Sequence, residues 1–262
     1  MKRPEKEEAP AGGRDPRPAA PALTSGSEGV LRMLEVVNLS KTFMLHILGG
    51  KVIDGFGGVS FRLSPGEFLG LAGRSGSGKS SVLKCIYGTY LPTSGDVWFA
   101  SDRHGRVNLA GGCEQTLLRI RSREMGYVSQ FLRVVPRVAA VDVVAEPLLN
   151  LGKDAGEARR RASVLLERLS IPAELHDAYP ATFSGGEQQR INIARAVIWE
   201  PRLLLLDEPT ASLDRRSRTV VIELLKELKG KGTAMVGVFH DRSSMNAVAD
   251  RVLDLGNGKG GK

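Results

Sequence analysis

Alternating and continuous apolar runs mark strand-like stretches at 33–43 (MLEVVNLSKTF), 58–63 (GVSFRL), 68–73 (FLGLAG), 96–100 (DVWFA), 125–130 (MGYVSQ), 202–207 (RLLLLD), 233–239 (TAMVGVF) and 251–255 (RVLDL). Helical spacing of apolar residues covers 79–90, 114–123, about 140–150, 155–170, 186–199, 215–229 and 242–249. SPGE (64–67) and PTSG (92–95) read as turns. The first part is strand-rich. Buried strands then alternate with helices, which predicts an α/β fold with a parallel-sheet core. A helical insert over about 131–200 interrupts that core. No internal repeat is visible. Residues 1–31, rich in Pro, Ala, Gly and mixed charge, are expected to be disordered, so the extension is placed at 1–32 and the folded part at 33–255. The tail 256–262 (GNGKGGK) reads as flexible.

The chain of 262 residues is long enough to bury a sizeable core, and 42% hydrophobic with 25% charged residues is ordinary for a globular protein. The 31 glycines exceed average usage and direct attention to glycine-rich loops. A net charge of +8 suits nucleic acid, anionic lipid or an acidic protein, or simply solubility. The arginine groups 119–123, 159–161 and 215–218 are spread along the chain without interleaved aromatics, which make up 5% of residues, so solvated helix faces are expected rather than a nucleic-acid surface. Cys85 and Cys113 form no metal-binding or redox spacing, which fits a reducing cytoplasm. No apolar run reaches the roughly 18 residues of a membrane span, and the N-terminus lacks a secretory h-region.

GRSGSGKS (73–80) follows an apolar strand and opens a helical pattern, the context in which G-x-x-x-x-G-K-[ST] becomes a phosphate cradle. Gly73, Gly76 and Gly78 let backbone N–H groups turn inward on phosphate oxygens, and the helix starting near Lys79 adds its positive end. Arg74, Ser75, Ser77 and Ser81 complete the candidate nucleotide contacts. Lys79 is expected to reach the β- and γ-phosphates, and the Ser80 hydroxyl to ligate Mg²⁺. RLLLLDEP (202–209) supplies a strand buried on both faces, ending in Asp207 as a further Mg²⁺ ligand and Glu208 as general base for the attacking water. FSGGEQQR (183–190) places a serine and exposed N–H groups at a helix N-terminus, another anion-binding arrangement or a plain helix cap.

Taken in order, the cradle at 73–80, Gln130, the 184–188 segment, the 203–207 strand, SLD at 212–214 and His240 resemble the ATP-binding cassette (ABC) superfamily over essentially all of 33–255. The resemblance implies a P-loop NTPase with a RecA-like parallel core, an antiparallel β subdomain and a helical signature subdomain. ATP and Mg²⁺ are the implied cofactors. Phe43 matches the aromatic residue that stacks on adenine. Gln130 matches the Q-loop glutamine that senses Mg²⁺ and couples to the partner. Ser184, Gly185, Gly186 and Glu187 match the signature that contacts the γ-phosphate held by the opposite subunit. Asp214 matches the D-loop aspartate, and His240 the switch histidine beside Glu208 and Lys79 in catalysis. His46, His104 and His176 match nothing and read as surface or structural. The resemblance implies a head-to-tail dimer, homomeric or heteromeric, with two ATP molecules sandwiched between the subunits.

The stretch YVSQFLRVVPRVAAVDVVAEPLLNLG (127–152) follows the Q-loop, where this superfamily faces the machine it drives. Arg133, Pro136, Arg137 and the valines read as a stiff docking surface or as subdomain core with solvated arginines. VSQFLRVVPR, PATFSGGEQQRINIARA and VGVFHD, with YGTYLPTSG and the Gly49–Gly50 pair, resemble the PhnL-type ATPases of the bacterial carbon–phosphorus lyase system for phosphonate breakdown. The expected partners are then soluble lyase subunits, in the cytoplasm. The alternative is the ATP-binding subunit of a lipoprotein-release or macrolide-export type transporter, partnered by a membrane permease.

Overall fold

The computed structural model describes residues 32–45, 51–130 and 137–256. The expectations for 1–31, His46, the Gly49–Gly50 pair, Arg133, Pro136 and 257–262 lie outside these residues.

Two sheets organise the chain. In the first, β1 (Leu34–Leu45), β2 (Lys51–Leu63), β4 (Ser94–Ser101) and β5 (Gly105–Asn108) pair antiparallel in the order β2-β1-β4-β5. In the second, β3 (Phe68–Ala72), β6 (Met125–Val128), β7 (Leu203–Asp207), β8 (Ala234–Val238) and β9 (Arg251–Asp254) run parallel in the order β6-β7-β8-β3-β9. Every residue of β7 and β8 is buried. Side-chain alternation divides the leucine run between the faces of the sheet. Leu203 and Leu205 join a core with α1 (Lys79–Ile86), β1 and β4, while Leu204 and Leu206 join a core with the helices that follow residue 139. Helix α1 therefore sits between the two sheets, its buried residues Val82, Leu83, Cys85 and Ile86 meeting Leu34, Val36, Val97 and Phe99 in one core.

Helix α2 (Glu114–Arg123) precedes β6. The helical insert consists of α3 (Ala140–Asn150), α4 (Ala155–Arg168) and α5 (Gly185–Val197), followed after β7 by α6 (Arg215–Gly230) and after β8 by α7 (Arg242–Asn246). Among the described residues, no helix is long and apolar enough to cross a membrane.

Local chemistry explains where the elements depart from the sequence pattern. Helix α1 stops at Ile86 rather than residue 90, because Gly88 takes φ 75° and its N–H bonds to the Cys85 carbonyl. Strand β2 begins at Lys51, seven residues before its alternating part, because pairing with β1 carries it through KVIDGFG, where glycines hide the alternation. The edge strand β5 is too short and polar to show a pattern. His176 is buried with Nε2 3.1 Å from the Ile171 carbonyl, a structural role, while His104 is exposed.

A buried carboxylate ties the two sheets. Glu124, just before β6, accepts from Ser101 Oγ at 2.6 Å, Asp102 N at 2.9 Å and Arg202 Nη1 at 2.9 Å. Arg202, just before β7, also donates to the Ala100 carbonyl at 2.6 Å. Burial acts to raise the Glu124 carboxyl, but these hydrogen bonds and the Arg202 charge outweigh it and hold it below its ordinary value of 4.5. A depressed carboxyl stabilises the fold above its unfolded value, and that contribution fades as pH falls through the folded value. Arg202→Met is expected to cost about 2 kcal/mol at pH 7. That is less than for a fully buried pair, because Arg202 keeps 26% of its side chain exposed. Urea unfolding at stepped pH should show the deficit shrinking as pH falls below 4.5 and on through the lower folded value, beneath which the carboxyl is protonated in both states. A deficit independent of pH would refute the assignment to this pair.

Candidate active site

The segment between β3 and α1 curls because its glycines adopt conformations closed to other residues. Gly73, Gly76 and Gly78 have φ of 141°, 79° and 87°. At Gly78 the constraint is steric as well, since a Cβ there would lie 2.3 Å from the Gly55 carbonyl oxygen of β2. The loop closes with Ser77 N donating to the Arg74 carbonyl at 3.1 Å. Lys79 Nζ donates to the carbonyls of Gly73 and Arg74 at 2.9 and 2.8 Å, which holds the ammonium across the loop. Ser77 is buried, and its Oγ has no partner among the described residues.

A cleft of about 550 Å³ opens over this loop, lined by Gly73, Ser75, Gly76, Gly78, Lys79, Ser80 and Ser81. Phe43 and Ile53 form an apolar wall, and Glu208, Phe239 and His240 close the other side. Residues as far apart in the chain as Phe43 and His240 thus meet at the ends of β3, β7 and β8 and on the β1–β2 hairpin. The Phe43 ring packs edge-on against Tyr90 at 5.5 Å, and a Cβ on Gly55 would fall 2.7 Å from Phe43 Cε2, so Gly55 leaves the room the ring uses. Arg74 and Ser77, expected as contacts, do not line the cleft by side chain. They shape it through the loop's backbone.

Glu208 has φ 53°, a left-handed conformation for a non-glycine residue, and its N–H bonds to the Val238 carbonyl at 3.0 Å. The chain thereby turns off the sheet, and the Glu208 carboxylate lines the cleft over the glycine loop instead of the core. Its Oε2 accepts from Gln130 Nε2 at 3.2 Å. Asp207, one residue earlier, is buried and faces a second cleft, where its Oδ1 accepts from Ser80 Oγ at 2.6 Å and its Oδ2 from Tyr127 OH at 3.2 Å. Ser80 lines both clefts.

Ser80 and Asp207 fit a magnesium ion, since a hydroxyl and a carboxylate held together at a phosphate cradle are hard oxygen donors. The described residues contain no cluster of three or more His, Cys, Asp or Glu side chains able to hold a metal. A magnesium ion held by Ser80 and Asp207 would take its remaining contacts from phosphate oxygens and water. Gln130, expected as a third ligand, lines the same cleft as Ser80 and Asp207, and its amide nitrogen donates to Glu208 Oε2.

The remaining expected residues form a separate group. Ser184 caps α5 in a reciprocal capping box: Glu187 N donates to Ser184 Oγ at 3.4 Å, and Ser184 N to Glu187 Oε2 at 2.8 Å. The Ser184 hydroxyl and N–H hold the Glu187 carboxyl below its ordinary value. Asp214 caps α6, accepting from Ser217 N at 2.8 Å, and that bond first of all lowers its carboxyl. Arg190 Nη1 reaches Ser217 Oγ at 2.6 Å, and a Cβ on Gly186 would fall 2.9 Å from the Ser212 carbonyl. The 184–187 turn and the loop before α6 are thus packed together, and Ser184, Gly185, Gly186, Glu187 and Asp214 line neither cleft.

Three polar side chains that the motifs did not point to join these parts. Asn192 Nδ2 donates to the Ser129 carbonyl at 2.8 Å, and buried Gln189 reaches the carbonyls of Ser129 and Pro209 at 3.5 and 3.4 Å. They link α5 to the residues flanking Gln130 and Glu208. Tyr127 is the third. Its only sequence signal is a place near the end of an apolar strand.

Known proteins are similar in both sequence and architecture. The sequence pattern of the ABC transporter family matches residues 56–211. The lipoprotein-releasing system ATP-binding protein LolD of Pseudomonas syringae pv. tomato is 39% identical over 204 residues, covering 77% of this chain and 86% of that protein. LolD of Aquifex aeolicus is 36% identical over 212 residues, covering 80% and 92%. The dimeric post-hydrolysis structure of the ATP-binding cassette MJ0796, bound to ADP and Pi, superposes with a TM-score of 0.78 at 30% identity, covering 88% of this chain and 97% of that one.

Gly78→Ala tests the cradle by geometry alone. The added methyl meets the Gly55 carbonyl and forces a φ that alanine resists. The expected result is a loss of about 1–3 kcal/mol of stability and at least tenfold weaker ATP binding, read by thermal unfolding and isothermal titration. Normal affinity would mean the loop need not close as described.

Proposed function

This chain belongs to the ABC transporter family and is an ATPase, and we propose that it works as one half of a head-to-tail dimer that drives a membrane permease. The observation carrying the dimer is the separation of the two anion-binding elements. The cradle, Glu208 and His240 share one cleft, while the Ser184–Glu187 turn lies outside it. A second copy, or a related chain, brings its own 184–187 turn onto the γ-phosphate. ATP then favours the closed pair, and loss of the γ-phosphate releases it.

Within each half, the cradle N–H groups and Lys79 hold the phosphates and stabilise charge that builds on them during in-line attack by water. Glu208 accepts the proton of the attacking water, with Gln130 orienting its carboxylate and His240 flanking the γ-phosphate position. Asp207 and Ser80 would hold magnesium, which supplies charge neutralisation on the phosphate oxygens when bound. The Phe43 and Ile53 wall receives the base.

The permease reading is supported by the LolD relatives, which serve a lipoprotein-releasing system. It is also supported by a groove that shares Tyr87, Tyr127 and Arg195 with the Asp207 cleft and is lined further by Arg121, Glu146 and Trp199, where a partner's helix can seat. Such a chain would work at the cytoplasmic face of the membrane. A second reading rests on the stretches VSQFLRVVPR and VGVFHD, which resemble the ATPases of the carbon–phosphorus lyase system. There the same groove would meet a soluble enzyme complex. The relatives reported above do not carry that assignment.

Two measurements test these readings. Ser184→Arg is expected to leave ATP affinity intact and to lower turnover by about 100-fold, because the residue acts on the opposite subunit's nucleotide. Unchanged turnover would remove the turn from the mechanism. Glu208→Gln should bind ATP and slow hydrolysis by roughly 10²–10⁴, on the order expected for losing a general base, trapping the dimer. Mass spectrometry of what copurifies with that protein decides the partner. A permease retained with detergent supports the transporter reading, and lyase subunits recovered without detergent replace it.

A further inference from the structure

We infer that Tyr127 is a positioning residue for ATP hydrolysis, its hydroxyl fixing the Asp207 carboxylate and its ring joining that carboxylate to the partner groove. The inference rests on the ATPase site and holds whichever partner fills the groove.

Among the described residues, two donors meet the Asp207 carboxylate, one on each oxygen. Ser80 Oγ takes Oδ1 at 2.6 Å and Tyr127 OH takes Oδ2 at 3.2 Å. The terminal torsion of an aspartate is broad, so one donor leaves the group free to swing. A second donor on the other oxygen sets its plane. Tyr127 comes from β6 and Asp207 from the neighbouring β7, where Tyr127 is in register with Leu205.

The ring is held as firmly as the hydroxyl. Tyr127 packs on Tyr87 at 4.9 Å with planes inclined by 44°. The Arg121 guanidinium covers Tyr87 at 4.9 Å, and Arg121 Nε donates to the Tyr87 carbonyl at 2.6 Å. Tyr87 and Tyr127 line both the groove of about 200 Å³ that contains Trp199 and the cleft that contains Ser80 and Asp207. A side chain entering the groove therefore presses on the ring whose hydroxyl sets Asp207. Energetic coupling of two binding sites is reciprocal, so if a side chain in the groove acts on Asp207 through Tyr127, a cation bound at Asp207 acts on the groove by the same amount.

A Tyr127 that merely fills the edge of the core makes phenylalanine silent. The test uses the Glu208→Gln chain with ATP, with Mn²⁺ as spectroscopic probe. Tyr127→Phe is expected to weaken Mn²⁺ binding, read by EPR, by about tenfold, with ATP affinity in EDTA unchanged. Tyr87→Phe removes the neighbouring hydroxyl but keeps its ring, and should bind Mn²⁺ as the parent does. The chain has two tryptophans, so Trp98→Phe leaves Trp199 as the reporter in the groove. Adding Mg²⁺ to the ATP complex should shift Trp199 emission when Tyr127 is present and leave it unmoved in the Tyr127→Phe chain. Parental Mn²⁺ affinity in Tyr127→Phe, or an equal loss in Tyr87→Phe, overturns the positioning role. An emission shift that survives Tyr127→Phe overturns the link to the groove. If the parent fails to bind ATP in EDTA, the ATPase site itself is misassigned.

Discussion

Strand β7 lies between β6 and β8 with both faces covered, and its first four residues are leucines. Such a strand cannot carry a polar side chain until it reaches the end of the sheet. Asp207 is that point, and the left-handed turn at Glu208 follows immediately. The same sheet edge receives the loop after β3, the residues after β6 and those after β8. Placing Asp207 therefore places the cradle, Gln130 and His240 around it. Open α/β sheets collect ligands at this end of their strands because loops there are free of core packing.

Two adjacent carboxylates acquire different chemistry from their surroundings. Asp207 is buried and meets two hydroxyls, which favours a fixed carboxylate for cation contact. Among the described residues, Glu208 meets a single amide, from Gln130, and it lines an open cleft. The division follows from one residue of backbone. A strand conformation continued through Glu208 would send its side chain to the opposite face from Asp207 within the sheet. The turn sends it into the nucleotide cleft instead.

The antiparallel sheet and the helical insert serve this edge in different ways. The sheet supplies Phe43 and Ile53 and is anchored through Glu124 and Arg202, so the base wall is fixed relative to β6 and β7. The insert is joined by amides from α5 to the carbonyls of Ser129 and Pro209. A shift of α5 therefore acts on the residues beside Gln130 and Glu208. The helix that opens with the 184–187 turn is thus tied to the ends of β6 and β7 by few and directional bonds.

Features with a local cause were legible in the sequence. Gly73, Gly76 and Gly78 announce a loop whose φ values only glycine accepts freely, Ser184 with Glu187 announces a helix cap, and the leucine run announces a doubly buried strand. The parallel core and the grouping of Lys79, Glu208 and His240 followed from those signals together with family resemblance. The start of β2 was not legible, because its glycines mask a pairing that β1 imposes. The contacts of Tyr127 with Asp207, Gln130 with Glu208 and Arg202 with Glu124 were decided by tertiary structure alone. Each joins side chains 78 or 80 positions apart, on strands or loops that become neighbours only once sheet order and register are set. Hydrophobic period and backbone preference act over a few residues, so they determine elements and turns. Which polar atoms then lie within hydrogen-bond reach of one another depends on how those elements pack.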